Sequence, residues 1–258
     1  PERAERITGV PAKSIVEAAL TFGRAERAAV YWTLGIAEHT HGTNNALALA
    51  NLALVTGNLG KECAGLNPLR GQNNVQGACD WGALYNVYPG YEPVADESAR
   101  RKLEKAWGVP LPDRPGLALT NMIEAAQRGE IKALYVMGED TLMSEPHLHH
   151  TREALMKLEF LVVQDIFLTE TARLAQVVLP AASFAEKDGT FTNTERRVQR
   201  VRKALEPVGE SKPDWLIISE LARKMGYDMR YNHPSDIFDE MARLVPSHGG
   251  ISYQRLEG

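Results

Sequence analysis

KALYVMG (132–138), EPHLHHTREALMKL (145–158), FLVVQD (160–165), TETARLA (169–175) and QVVLPA (176–181) are the stretches that decide the fold. The first, third and fifth are short apolar runs rich in Val, Leu and aromatic residues, which predicts buried strands. The second and fourth carry apolar residues at helical spacing. Strands joined by helices must run parallel, because the crossover returns the chain to the same edge direction. Such sheets bind ligands just beyond the strand C-termini. Those ends are Gly138 to Asp140, then Gln164 and Asp165, then Pro180 to Ser183. Three successive ends carrying a carboxylate, amide or hydroxyl have the composition of a ligand crest. The competing reading is that any strand of a parallel sheet ends in a polar loop.

The same α/β rhythm runs outward from this core. Upstream, KSIVEAALTF (13–22) predicts a helix, AAVYWTLG (28–35) a buried strand, and TNNALALANLALVTGNLG (43–60) a strongly apolar helix. Thr43 and Asn44 are candidate caps for it, and Gly57 and Gly60 its stops. NVYPGYEPV (86–94) has turn composition and marks a lobe boundary. Downstream, SFAEKDGTFTNTERRVQRVRK (183–203) predicts loops and short strands. PDWLIISELARKMG and PSDIFDEMARLV predict amphipathic helices with Asp214 and Ser235 as N-caps or first-turn residues.

Bulk properties narrow the function. The chain has 258 residues, 44% hydrophobic and 24% charged, with a formal net charge of −4. That balance argues against nucleic acid or an anionic membrane as the main partner. No apolar run approaches the roughly 20 residues of a membrane span. Cys63 and Cys79 stand apart with no CxxC, which offers neither a zinc site nor a disulfide framework and fits a reducing, cytoplasmic setting. Pro1 in place of Met, with no signal peptide after it, leads us to expect a piece of something longer.

NPLRGQNNVQGACDWG (67–82) crowds Arg70, Gln72, Asn73, Asn74, Gln76 and Asp80 between three glycines. Amides carry donor and acceptor without charge, which suits a flat, many-heteroatom ligand such as a pterin or purine. Arg70 adds a planar fork able to grip a carboxylate or phosphate in two parallel bonds. The alternative is a tight surface loop whose amides satisfy its own backbone.

Other motifs say less. HTHG (39–42) and HLHH (147–150) lack an HExxH frame, so capping and solvated faces are the default, although His39 or His41 follows the first strand and could line a site. ERRVQRVRK (195–203) holds five basic residues in nine, read first as a solvated face and second as an anion or subunit contact. No GxGxxG, Walker loop or GxSxG elbow is present, which removes the main support for ordinary NAD, ATP and serine-hydrolase readings.

TLGIAEHTHGTNNALALANLALVTGNLGK, NPLRGQNNVQGACDWGALYNVYPGY, YVMGED and VVQDIFLTETARLAQVVLPAASFAEKDGTFTNTERRVQR together resemble the catalytic subunit of formate dehydrogenases in the molybdopterin oxidoreductase superfamily. The likeness covers nearly the whole chain, and LRGQNNVQGACD is its most specific part. It implies Rossmann-like, parallel-sheet α/β lobes, incomplete at both ends. Expected boundaries are 1–72 for the end of one pterin dinucleotide lobe and 73–184 for a second. A return segment, 185–258, has part of 213–235 packing on the second lobe.

The resemblance also implies an activity: reversible oxidation of formate to carbon dioxide at a molybdenum or tungsten ion held by two pyranopterin guanine dinucleotides. Residues matching Arg70 and Gln72 are the catalytic pair, the arginine gripping the formate carboxylate and the glutamine orienting it. Those matching Leu34 and Glu38 meet one dinucleotide. Those matching Asp140, Ser144, Gln164, Ala181 and Asp214 meet the guanosine end of the other, beside the strand end at Gly138. A carboxylate such as Asp140 or Asp214 can accept from the ring N–H and amino group of guanine together. The family's metal ligand and iron–sulfur cysteines match nothing here. Cys79 reads as a packed thiol, and the segment alone is expected to be inactive. Formate and an electron-transfer subunit or domain are the implied partners. The rival readings are a reductase-branch member of the superfamily and a non-catalytic scaffold homologue.

Overall fold

The computed structural model describes residues 1–257. The chain divides into two compact units, Pro1–Val75 and Gln76–Gly258.

In the first unit, strand β1 (Ala29–Trp32) pairs in parallel with β2 (Gly65–Pro68), Trp32 lying opposite Pro68. The crossover between them is the helix Gly42–Val55, apolar on all sides. Its predicted caps do not act as such. Thr43 and Asn44 fall inside the first turn, and His41 stands at the N-cap without a side-chain cap bond. Gly42 is required by space, since a Cβ there would lie 1.8 Å from the Ala37 carbonyl oxygen. The predicted strand 28–35 is shorter than expected, because Leu34–Ala37 turns helical.

The loop read over 67–82 also needs correction. Asn67 and Pro68 close β2, and Val75–Asp80 is helical. A strand spelled GLNP has no apolar alternation to reveal it; its pairing with β1 makes it a strand.

The second unit opens with a small antiparallel hairpin, β3 (Val87–Tyr88) and β4 (Glu92–Pro93), where turn composition predicted a boundary. Helix Glu97–Trp107 follows, capped by Asp96, whose carboxylate accepts from Ser98 N at 2.8 Å and Ala99 N at 3.0 Å. Tyr88, Val94, Ala99 and Leu103 form a local core there. The main sheet is β5 (Ala133–Met137), β6 (Phe160–Asp165) and β7 (Val177–Pro180), all parallel and in that order. Leu161 and Val163 face helices Leu119–Gln127 and Leu148–Met156 with Ile123, Ala126, Leu142, Ala154 and Leu155 in the principal core. TETARLA supplies only a 3-10 turn, Ala172–Leu174. Strands β8 (Gly189–Thr192) and β9 (Val198–Val201) form an antiparallel hairpin. Helices Asp214–Lys224 and Pro234–Leu244 follow, with Asp214 and Ser235 in their first turns, and a short helix, Tyr253–Leu256, comes last.

Candidate functional site

The C-terminal crest of β5–β6–β7 carries a chain of fixed polar groups. Gly138 follows β5 with φ of +66°, and its N–H donates to the Gln164 carbonyl at 2.8 Å, extending the ladder by one bond. Gln164, at the end of β6, is fully buried. Its side-chain oxygen accepts from the Tyr135 hydroxyl, and its Nε2 donates to Asp214 Oδ1 at 2.7 Å. Burial first, and then the Asp214 carboxylate, push the Tyr135 hydroxyl above its ordinary value, so it remains a donor. Lys187 Nζ contacts Asp214 Oδ2 and donates to the Ala182 carbonyl at 3.0 Å.

The other expected residues of this unit lie at the same strand ends. Asp140 Oδ1 accepts from Thr171 N at 3.1 Å and Thr171 Oγ1 at 2.6 Å, tying the end of β5 to the turn before Ala172–Leu174. Ser144 is exposed and donates to Glu139 Oε1 at 2.7 Å. Burial and the neighbouring Glu139 raise the Glu145 carboxyl above its usual range. Ala181 is buried. Its N–H is taken by the Asp165 carbonyl at 3.0 Å, and its backbone bridges to Lys212.

In the first unit, Leu34 and Glu38 follow the end of β1, both exposed. Leu69 N donates to the Trp32 carbonyl at 2.8 Å, so the two parallel strands stay paired to their ends. Arg70 and Gln72, also exposed, therefore leave the sheet on the same edge as Leu34 and Glu38. Leu34 and Arg70 each stand two residues past the last register pair, Trp32 and Pro68.

Sequence reading missed Tyr135, Lys187 and Thr171. Lys187 sits four residues past Ser183, in the SFAEK stretch that continues the polar end of β7. It missed the surroundings of Asp80 as well. Asp80 is buried, and its Oδ1 accepts from Gln76 Nε2 at 3.0 Å and an Arg196 guanidinium nitrogen at 3.2 Å. Its Oδ2 finds no hydrogen-bond partner and lies 3.9 Å from His248 Nε2. Other members of the basic run are also paired: Arg200 bonds Glu257 at 2.8 Å and lies 3.8 Å from the Tyr253 ring centroid. His147 and His150 meet edge to face beside Glu124, and no group of three or more metal-ligating side chains occurs among the described residues. His39 is exposed and bonds the Gly35 carbonyl at 2.7 Å. Cys63 is exposed, and Cys79 half-buried.

Comparison with known proteins fits this arrangement of parallel lobes. Residues 14–224 match the molybdopterin oxidoreductase family. The chain belongs to that family. It is 53% identical over 259 aligned residues to the F420-dependent formate dehydrogenase subunit alpha of Methanocaldococcus jannaschii, covering 100% of this chain and 38% of that one. It is 47% identical over 257 residues to formate dehydrogenase H of Escherichia coli, covering 99% and 36%. Acetylene hydratase from Pelobacter acetylenicus shares the fold, with a TM-score of 0.69 at 20% identity over 98% of this chain and 37% of that one. The chain thus spans 38% or less of the length of these relatives. No helix among the described residues is long and apolar enough to cross a membrane.

Proposed function

We propose that this chain is the middle part of a formate dehydrogenase catalytic subunit, supplying the substrate arginine and much of the protein's grip on two pyranopterin guanine dinucleotides. The observation that carries this is the 53% identity, over the whole chain, to a formate dehydrogenase subunit alpha. The lobes are taken as 1–72, 73–184 and 185–258. Two free cysteines agree with a reducing, cytoplasmic setting.

The residues fit the cofactor on their own chemistry. Asp214 and Lys187 are partly exposed acceptor and donor groups held in place by each other and, through Asp214, by the buried Gln164, which suits the edge of a purine. Around them lie Gly138, Asp140, Ser144 and Ala181. Leu34 and Glu38 would meet the second dinucleotide. When bound, a molybdenum or tungsten centre would supply the two-electron acceptor for formate oxidation, which yields carbon dioxide and one proton, and an iron–sulfur cluster with an electron-transfer subunit or domain would be the onward route for the electrons.

This chain's own contribution is positioning. The Arg70 guanidinium grips the formate carboxylate in two parallel bonds, and Gln72 holds the guanidinium in plane. Formate is thereby oriented with its hydrogen toward the reaction centre, and charge at the carboxylate is balanced as carbon dioxide forms. Lysine is a point charge and cannot reproduce that grip. Arg70→Lys in the full-length enzyme is expected to lower formate kcat/KM by about 100-fold or more, the scale of losing an oriented donor, with metal content unchanged. Unaltered formate kinetics would remove Arg70 from the site.

A further inference from the structure

We propose that Asp80 and Arg196 are positioning residues that fix the chain just after Arg70 and Gln72 and thereby set the affinity for formate. This rests on the reading that Arg70 grips formate. Arg70 stands two residues past Pro68, the last paired residue of β2, and only residues 71–74 separate it from the helix Val75–Asp80. Whatever fixes that helix therefore narrows the conformations open to the arginine.

A helix of six residues has little stability of its own, and side chains hold this one. Gln76 and Asp80 are both buried, one turn apart on the same face. Gln76 Nε2 donates to Asp80 Oδ1 at 3.0 Å and to the Tyr91 hydroxyl at 3.1 Å. Asp80 Oδ1 also accepts from Arg196 at 3.2 Å, and the Asp80 carbonyl accepts from Gly90 N at 2.8 Å. The next residue, Trp81, packs against Phe238 and His248, with ring centroids 5.3 and 4.4 Å apart.

The partners that hold the helix are themselves strained. Tyr91 and Arg196 have φ of +63° and +62°, two of the three non-glycine residues in the left-handed region among those described. Such backbones persist only where their surroundings over-determine them, and they gather at active sites and clamps. Both send a side chain to this one short helix. The turn carrying Arg196 is closed by Asn193, whose carbonyl accepts from Arg196 N at 2.9 Å and whose side chain accepts from Arg197 N at 3.0 Å.

Asp80 depends on that arginine. Its Oδ2 has no hydrogen-bond partner and His248 Nε2 is 3.9 Å away, so among the described residues the guanidinium is the one cation at hydrogen-bond distance from the carboxylate. Without it a buried charge is left uncompensated, and the end of the helix must shift to hydrate it. The Arg196 side chain is 57% exposed, so it can be replaced without opening the core.

The test is steady-state formate oxidation by the full-length enzyme with a dye as acceptor, each rate expressed per bound metal. An enzyme whose arginine is in place only part of the time binds formate more weakly in proportion, yet turns over normally once saturated. Arg196→Gly removes the side chain and suits the left-handed backbone. It is expected to raise formate KM about tenfold with kcat within about twofold of wild type. Arg196→Lys, a point charge in place of the planar fork, should raise KM about threefold. Adding Arg196→Gly to Asp80→Asn should change KM by less than about twofold, because both act through one bond. Fully multiplicative effects would overturn the pairing. A merely structural arginine would give less metal-loaded protein with an unchanged KM, and that result would overturn the proposal. Should Arg196→Gly fail to load metal, Arg196→Lys decides, and a wild-type KM there would overturn it. Arg70→Lys in the same assay tests the reading beneath, and its unaltered kinetics would overturn both. Loss of turnover in Arg70→Lys beside a wild-type KM in Arg196→Gly would overturn this inference alone.

Discussion

Asp80 and His248 are a buried acid and base, 3.9 Å apart at their nearest, that take no direct part in the proposed chemistry. His248 lies against Trp81, ring centroids 4.4 Å apart, with Ser247 Oγ at 3.1 Å from its Nδ1. Burial holds its pKa below the ordinary 6.5, Asp80 pulls it back up, and Arg196 presses it further down. The folded state therefore binds fewer protons than the unfolded chain between the depressed value and 6.5. Stability from this group is fully present above 6.5 and is lost as pH falls through the folded value. Melting temperatures from about pH 8 to about pH 5 should fall less steeply in His248→Gln than in wild type. Parallel curves would show that His248 does not titrate in that window. None of this was legible in the sequence, because residues 80, 196 and 248 are brought together only by tertiary packing. Arg70 stood out in the sequence as a lone arginine among amides and glycines, and its proposed role is tested by the Arg70→Lys kinetics.

At the scale of elements, the parallel sheet and the helices Leu148–Met156, Asp214–Lys224 and Pro234–Leu244 were readable, and some other elements were not. Strands β5, β6 and β7 announce themselves as short apolar runs closed by glycine, carboxylate or proline, so their C-terminal residues could be named in advance. Strand β2 could not, since Asn67 and Pro68 are poor strand formers held by the ladder to β1. Helix Glu97–Trp107 was overlooked because only Ala99 and Leu103 are buried on it, although Asp96 and Gly108 mark both ends. The crossover helix offers a direct test of packing. Gly42→Ala places a methyl 1.8 Å from the Ala37 carbonyl oxygen, a backbone atom that cannot step aside. We expect a loss of about 3 kcal/mol or more, at or above the usual range for overpacking. Gly35→Ala, with nothing within 4 Å of the added carbon, should melt like the wild type. Equal melting of the two variants would contradict the close approach.

At the scale of the whole molecule, the two compact units have the same logic: parallel strands, a helical crossover, and the expected functional residues on the edge where the strands end. That edge was legible because side-chain polarity changes abruptly there. Its internal wiring was not. Asp214 lies 50 residues from Gln164, and Lys187 lies 27 from Asp214, so only the folded chain shows that they form one set. Similarity to formate dehydrogenases over 99% or more of the chain then converts a generic crest into a specific proposal. The most direct measurement is turnover of carbon-13-labelled formate by the full-length protein with an artificial dye as acceptor. The proposal requires labelled carbon dioxide and two electrons' worth of reduced dye for each formate consumed. Protein loaded with metal and pterin that forms no labelled carbon dioxide would contradict it.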